Sequence, residues 1–232
     1  MNMADLITTF YEPDKVPPKQ ALRPGAVFNA PILFVDSGLR LLKIEYIDPK
    51  HRKPPMLKLG KEDEDSFKHP PVLELGLRDN EELAALKCKS RPVIIFSQPL
   101  ARWKFLGEEG QGDSFLCLPL FGLDQYEREF VLSVRAFKYE SAFYLPKDAT
   151  FRLEESFVRF DRTQIVHQHQ LKRWYPHVKL HDDALMLLQE WFRYFTTGSA
   201  ENWVLEYQKV EVEKLERILT TQETKAFKRL KS

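Results

Sequence analysis

The sequence predicts an α+β protein in which a small β-barrel, or a strongly bent sheet, carries C-terminal helices. Short apolar segments bounded by Gly, Pro and Asp come first along the chain, as is typical of buried strands. After residue 180 the apolar period changes to that of helices. A chain of 232 residues, 43% hydrophobic and 30% charged, is long enough to bury one good-sized core.

The N-terminal third of the chain is predicted to contain an arm, two strands and an insertion. Residues 1–22 are polar and proline-rich, which indicates an arm or linker. The stretch 23–47 indicates two short strands around the turn-like "DSG". From about 48 to 89 the sequence is charged and loop-like, and "NEELAAL" indicates a helical turn. Because this segment has few apolar residues, we interpret it as an insertion and not as a second domain.

Further strands follow the insertion, and helices end the chain. "RPVIIFSQ", "SFLCLPLFGL", "EFVLSVRAF" and "SFVRFDRTQIV" are each predicted to be a strand. In "HDDALMLLQEWFRYFTTG" the apolar side chains Leu185, Leu188, Phe192 and Phe195 share a helical stripe, and Gly198 provides a stop. We expect one domain over 23–198 and a helical extension over 199–232, although "QKVEVEKLE" alternates as a strand would.

Net charge, apolar runs and cysteine count limit the classes of function that the sequence allows. The formal net charge is +1, so any nucleic-acid binding must come from a local patch. The sequence lacks an apolar run long enough for a membrane helix and a recognisable secretion leader. Its two cysteines form neither a disulfide framework nor a metal-ligand spacing. These features predict a cytoplasmic protein that needs no membrane, metal or cofactor.

One local patch is basic. Between residues 152 and 179, six arginines and lysines stand against three acidic residues, a local charge of +3. A solvated charged face is the alternative interpretation. His167 and His169, which titrate near neutrality, are candidates for RNA binding or acid–base work, or simply form a polar strand end. The candidate RNA-binding residues are therefore Arg162, His167, His169, Lys172 and Arg173.

Arg159 and Asp161 stand two residues apart within an apolar run, "SFVRFDRTQIV". In a strand such side chains point to the same face, while Val158 and Phe160 point to the core. A guanidinium is a planar charged fork suited to phosphate, and a carboxylate beside it can accept a proton from a hydroxyl. The pair therefore indicates metal-independent RNA cleavage, and the alternative is an exposed salt bridge of little energetic value.

Four short motifs resemble the PemK/MazF toxin family, in the order that the family uses them. They are "RPGAVF", "SRPVIIFS", "SFLCLPL" and "VRFDR", the last before a C-terminal helix, and they cover about 22–47 and 90–197. The resemblance implies a small SH3-like β-barrel of the CcdB/PemK type, interrupted here by the long inter-strand insertion. It also implies a homodimer that cleaves single-stranded RNA without a metal and is restrained by an antitoxin protein.

The resemblance also implies roles for individual residues. Arg159 matches the arginine placed at the phosphate, Asp161 the aspartate that acts as base, and Arg91 a catalytic arginine that opens a strand. An ordinary charged strand start is the alternative for Arg91. Phe121 stands where MazF-like enzymes place a threonine. The histidine of Kid-like members falls in the insertion, which offers only His51 and His69.

The sequence therefore predicts a metal-independent endoribonuclease toxin of a toxin–antitoxin pair. Two alternatives come from other functional classes. The first is a barrel that has lost catalysis and binds nucleic acid or protein, which the missing threonine and the long insertion favour. The second is a gyrase poison of the CcdB type, which shares the fold and needs no RNA chemistry.

Overall fold

The structure, a computed structural model, describes residues 7, 9–17, 20–34, 40–46, 56–61, 66, 72, 75–78, 81–100, 104–105, 108–109 and 113–229. The described part contains fourteen strands and three helices. Every strand pairing in it with a defined register is antiparallel. The predicted α+β class is confirmed.

The bounds of the elements follow the chain. The strands are β1 Tyr11–Pro13, β2 Val27–Phe34, β3 Arg40–Tyr46, β4 Met56–Lys61, β5 Ala84–Ala85, β6 Lys87–Ile95, β7 Lys104–Phe105, β8 Glu108–Glu109, β9 Ser114–Gly122, β10 Ala142–Leu145, β11 Ser156–Arg159, β12 Gln164–His167, β13 Lys172–Arg173 and β14 Val178–Leu180. The helices are α1 Arg128–Arg135, α2 Asp182–Thr197 and α3 Asn202–Arg229.

The largest sheet is open. Its strand order is β10-β11-β9-β6-β2-β13, and β12 pairs with β9 as well. The described strands therefore form an open sheet and do not close into the predicted small β-barrel. A three-stranded sheet, β4-β3-β5, and two small pairs, β1-β14 and β7-β8, complete the strand pairing.

The chain divides into two compact units. The first comprises 1–30 and 90–232, and the second comprises 31–89. The second unit contains the β4-β3-β5 sheet. It begins before the insertion predicted at 48–89, because β3 and the end of β2 belong to it. The predicted "DSG" turn lies outside the described residues.

The predicted strand "SFVRFDRTQIV" is two strands separated by a turn. Strand β9 pairs first with β11, where Val158 faces Leu120, and then with β12, where Gln164 faces Cys117. Val158 and Gln164 are six residues apart, whereas their partners on β9, Leu120 and Cys117, are only three residues apart. The additional residues include 160–162, which form a 3-10 turn between β11 and β12. Asp161 therefore lies on a turn, and the prediction that placed it on a strand face was wrong.

Helix α2 covers one face of the large sheet. Trp191 is fully buried and its Nε1 donates to the carbonyl oxygen of Ala142 at 2.9 Å. Phe192 packs on Phe160, with ring centres 5.1 Å apart. The helix and its Gly198 stop are as predicted, and Gly198 adopts the left-handed conformation with φ 68°. The buried stripe is shifted from the predicted one and consists of Ala184, Leu187, Leu188 and Trp191.

Two other sequence predictions differ from the structure, and a third is confirmed. "EFVLSVRAF" is not a strand but helix α1, because Ser133 and Val134 become its buried face. "NEELAAL" was predicted to be helical, yet its alanines form β5, which pairs with Arg40 and Leu41 of β3. "QKVEVEKLE" belongs to α3, so the predicted second helix is confirmed.

The proline-rich N-terminal stretch is packed within the first unit. Strand β1 pairs with β14 in the register Tyr11↔Leu180. Asp14, with a side chain 2% exposed, forms ion pairs with Arg23 at 2.8 Å and Arg173 at 3.1 Å. The described part of residues 1–22 is therefore held in place, although a linker was one of its predicted forms.

Candidate functional site

Two arginines approach one aromatic ring on the face of the large sheet. Val93 pairs with Pro119, and continuing that register by two residues brings Arg91 opposite Phe121. The Cζ atom of Arg91 lies 4.7 Å from the centre of the Phe121 ring. The Cζ atom of Arg159 lies 5.9 Å from the same ring centre. Such distances allow cation–π attraction, so Phe121 helps to hold both guanidinium groups at one end of the sheet.

Arg159 and Asp161 form a two-pronged ion pair. The Nε atom of Arg159 donates to Oδ1 of Asp161 at 3.1 Å, and Nη2 donates to Oδ2 at 2.6 Å. Nε of Arg162 lies 3.5 Å from the same carboxylate. Partial burial opposes ionisation of Asp161, but the hydrogen bond from Arg159 and the two arginine charges outweigh it and lower the pKa of Asp161 below its ordinary value.

This ion pair is only partly shielded from water. The side chain of Arg159 is 36% exposed and that of Asp161 is 41% exposed. Ion pairs with such exposure are worth at most about 1 kcal/mol. A phosphate, which binds a guanidinium with the same fork geometry, can therefore replace the Asp161 carboxylate at Arg159 at little energetic cost.

The structure brings the predicted catalytic residues together. Arg91 and Arg159 share Phe121, and Asp161 bonds Arg159 although it lies on the turn. Val158 and Phe160 are buried, as predicted. We call Arg91, Phe121, Arg159, Asp161 and Arg162 the arginine cluster. The cluster thus has three guanidinium groups, which are suited to phosphate, and one carboxylate, which can accept a proton.

The two predicted RNA-binding histidines lie elsewhere. His167 ends β12, where it pairs with Ser114, seven residues from Phe121 and so roughly 23 Å away along β9. The Nδ1 atoms of His167 and His169 are 2.6 Å apart, so one imidazole donates to the other. The backbone N–H of His169 also donates to His167 Nδ1, at 3.4 Å.

Lys172 and Arg173 lie on β13, which pairs with β2 at the far edge of the sheet. Arg173 is 15% exposed and bonds the backbone oxygens of Asp14 and Val16 in addition to the Asp14 carboxylate. Its side chain fixes the N-terminal segment, which the sequence did not reveal. Lys172 is exposed. Of the predicted RNA-binding residues, only Arg162 belongs to the arginine cluster.

Phe121 has a role that the sequence did not indicate. It is 7% exposed, and its ring lies among the arginines and Phe157. Phe121 lies opposite Phe157 in the pairing of β9 with β11, and the sequence alone does not contain this pairing.

No protein-family model, curated protein or solved structure matches this chain at a significant level.

In the described part of the chain, no helix combines the length and the apolar character needed to cross a bilayer. Among the described side chains, no group of three or more His, Cys, Asp and Glu could hold a metal ion. Burial raises the pKa of the Cys117 thiol to about 12, which leaves it an apolar core residue.

Proposed function

We propose that this protein is a metal-independent endoribonuclease that cleaves single-stranded RNA. The observation that carries the proposal is that Arg91 and Arg159 share the Phe121 ring, while Asp161 forms ion pairs with Arg159 and Arg162. Phosphodiester cleavage by a 2′-hydroxyl needs a proton acceptor and positive charge at the phosphoryl oxygens, and the arginine cluster has both.

The reaction begins when an RNA phosphate takes the place of Asp161 on the guanidinium of Arg159. The released carboxylate accepts the proton of the 2′-hydroxyl, and O2′ attacks the adjacent phosphorus. The bond from phosphorus to the 5′-oxygen breaks and that oxygen takes a proton from water, while the hydroxide that remains takes the proton held by Asp161. The products are a 2′,3′-cyclic phosphate and a 5′-hydroxyl. Arg91 and Arg159 stabilise the charge that builds up on the phosphoryl oxygens.

We base the proposed biological setting on the sequence motifs that resemble the PemK/MazF family. "SRPVIIFS" includes the part of β6 that holds Arg91, "SFLCLPL" opens β9, and "VRFDR" joins β11 to the turn. An open antiparallel sheet with C-terminal helices is compatible with an SH3-like fold of the PemK/MazF type. On this basis the protein is a cytoplasmic, homodimeric toxin restrained by an antitoxin protein.

A second candidate function is RNA binding without cleavage. Two observations favour it. Asp161 is held by Arg159 with a lowered pKa, which makes it a weak base until a ligand displaces it. Phe121 also occupies the position where the resemblance implies a threonine. In this case the arginine cluster binds the phosphate backbone and the RNA remains intact.

The test measures cleavage and binding of a long single-stranded RNA in the presence of EDTA. Asp161→Asn should abolish cleavage and keep RNA binding, because it removes a base and no cation. Arg159→Ala should weaken binding and slow cleavage by about 10²–10³-fold. Glu154→Gln is the matched control, because Glu154 forms an exposed ion pair with Lys147 outside the arginine cluster and should leave both activities unchanged.

The outcomes separate the two candidates. Cleavage that survives EDTA and is lost in Asp161→Asn supports the endoribonuclease. Wild-type protein that binds RNA through Arg159 and leaves it intact overturns cleavage and supports the second candidate. Wild-type protein that neither binds nor cleaves RNA overturns both.

A further inference from the structure

Three aromatic rings form a stack beside the arginine cluster. Tyr126 and Phe130 have ring centres 4.7 Å apart and planes inclined by 28°. Phe130 and Tyr139 continue the stack at 5.5 Å and 29°. Tyr126 and Phe130 also touch Phe157 edge-on, each at 5.6 Å, so the stack is fixed to the sheet. Helix α1 supplies Phe130, and the other two rings flank the helix.

The stack ends at the surface. Tyr126 and Phe130 are half-buried, whereas Tyr139 is 39% exposed although it contacts Phe130. A near-parallel stack that ends in an exposed ring can be extended by another flat ring, because aromatic groups favour offset stacking. Every nucleobase presents such a flat π-face.

Backbone pairing places Tyr139 next to the ion pair of the arginine cluster. The carbonyl oxygen of Tyr139 accepts from the N–H of Ala142, and Ala142 pairs with Arg159. The N–H of Phe160, the residue before Asp161, donates to the carbonyl oxygen of Ser141 at 2.9 Å. Because Ser141 lies between Tyr139 and Ala142, this bond ties the segment that carries Tyr139 to the turn that carries Asp161. The exposed end of the stack and the phosphate-binding groups therefore lie at one end of β10 and β11.

We infer that Tyr139 is a stacking platform for a nucleobase of single-stranded RNA whose phosphate lies on Arg159. The inference rests on the proposed function and adds a base-binding subsite to it. Residues 124–140 carry four acidic and three basic side chains, so the net charge of this region does not favour phosphate. The platform contributes affinity through ring stacking, and it accepts all four bases because stacking is tolerant of sequence.

The experiment measures RNA affinity by fluorescence anisotropy with a labelled oligonucleotide whose 2′-hydroxyls are methylated, so that it cannot be cleaved. Tyr139→Ala should weaken binding about tenfold, the usual order for one lost stacked base. Tyr139→Phe keeps the ring and should bind as wild type does. The matched control is Trp203→Ala, because Trp203 is an aromatic residue of similar exposure on α3 and should not affect binding. The salt dependence should stay unchanged in Tyr139→Ala, since no phosphate contact is lost.

A set of oligonucleotides with one abasic position each tests the same contact without altering the protein. Wild type should bind about tenfold more weakly when one particular position of the oligonucleotide is abasic. Tyr139→Ala should bind that abasic oligonucleotide and the intact one with equal affinity, because the contact is already lost. Equal affinity of wild type and Tyr139→Ala, or wild-type indifference to every abasic position, overturns the platform. If Arg159→Ala weakens binding in the same assay, the proposed function survives that result. Wild-type protein that binds no RNA overturns the proposed function, and the platform with it.

Discussion

At the scale of single residues, the ion pair between Arg159 and Asp161 controls the state of the site. Arg159 holds the pKa of Asp161 below its ordinary value of about 3.9, so the carboxylate stays charged in mild acid. The contribution of the pair to folding is fully present above the unfolded pKa. It is lost as the pH falls through the lower folded pKa. We therefore expect the carboxyl carbon of Asp161 to titrate in NMR spectra with a midpoint below about 3.9.

Removal of the arginine tests the cause of this shift. In Arg159→Met the midpoint of Asp161 should rise toward the ordinary value, because the hydrogen bond and the nearest charge are gone. Lys147→Met is the control, since it removes a cation that pairs with Glu154 and not with Asp161. An Asp161 midpoint that is the same in wild type and Arg159→Met would show that the pair does not persist in solution.

Phe121 links the stability of the sheet to the position of two arginines. Its ring is 7% exposed and touches Phe157 as well as Arg91 and Arg159. Phe121→Ala should lower the free energy of unfolding by about 3–5 kcal/mol in denaturant titrations. Ile165→Ala, at a position 66% exposed, should change it by no more than about 0.5 kcal/mol. Equal losses in the two variants would contradict the packing described for Phe121.

At the scale of elements, long and strongly periodic segments could be predicted from the sequence and short ones could not. Helix α2 has acidic residues at its start, a glycine stop and sixteen residues of helical period, and it forms as predicted. Helix α1 has eight residues, and a polar Ser133 on its buried face hides the helical period. Ala84 and Ala85 became a strand because β3 lies beside them, and pairing with a distant strand outweighs local propensity.

Pairing between strands that are distant in the sequence also limits how much of the site could be predicted. Arg91, Arg159 and Asp161 were identified from the sequence, and the structure brings them together. The turn that carries Asp161 exists because β9 changes partner between Leu120 and Cys117, a long-range register that a single sequence does not contain. The sequence predicts one basic patch over 152–179, yet β12 and β13 place its members in different parts of the sheet.

The N-terminal segment depends on one buried carboxylate. Asp14 pairs with Arg173 and with the more exposed Arg23, so Asp14→Ala leaves two guanidinium groups without this anion. We expect a loss of about 3 kcal/mol in the free energy of unfolding, measured in denaturant. Arg173→Met should likewise destabilise the protein while the RNA affinity of the folded fraction stays unchanged.

The adjacent Lys172 provides the matched control. Its side chain is exposed, so Lys172→Met should leave stability within about 0.5 kcal/mol of wild type. If Arg173→Met instead weakens RNA binding at full stability, Arg173 is an RNA contact as first predicted, and its ion pair with Asp14 is not the main role.

At the scale of the whole molecule, the two compact units differ in how much apolar surface they bury. In the described part of 31–89, the buried apolar side chains are Ile32, Leu41, Val72 and Leu77. Strand β4 of this unit is exposed or half-exposed throughout, whereas six of the nine residues of β9 in the other unit are buried. Segments with few buried apolar contacts open at lower free energy than core strands.

Hydrogen exchange followed by mass spectrometry should therefore separate the units. Peptides from Met56–Lys61 should take up deuterium well before peptides from Ser114–Gly122, because β4 opens without unfolding of the large sheet. Peptides from α2, which contains the buried Trp191, should exchange as slowly as β9 and thus report global unfolding of the larger unit. Equal protection of β4 and β9 would mean that both units unfold in one cooperative step, and the contrast in burial would then not govern stability.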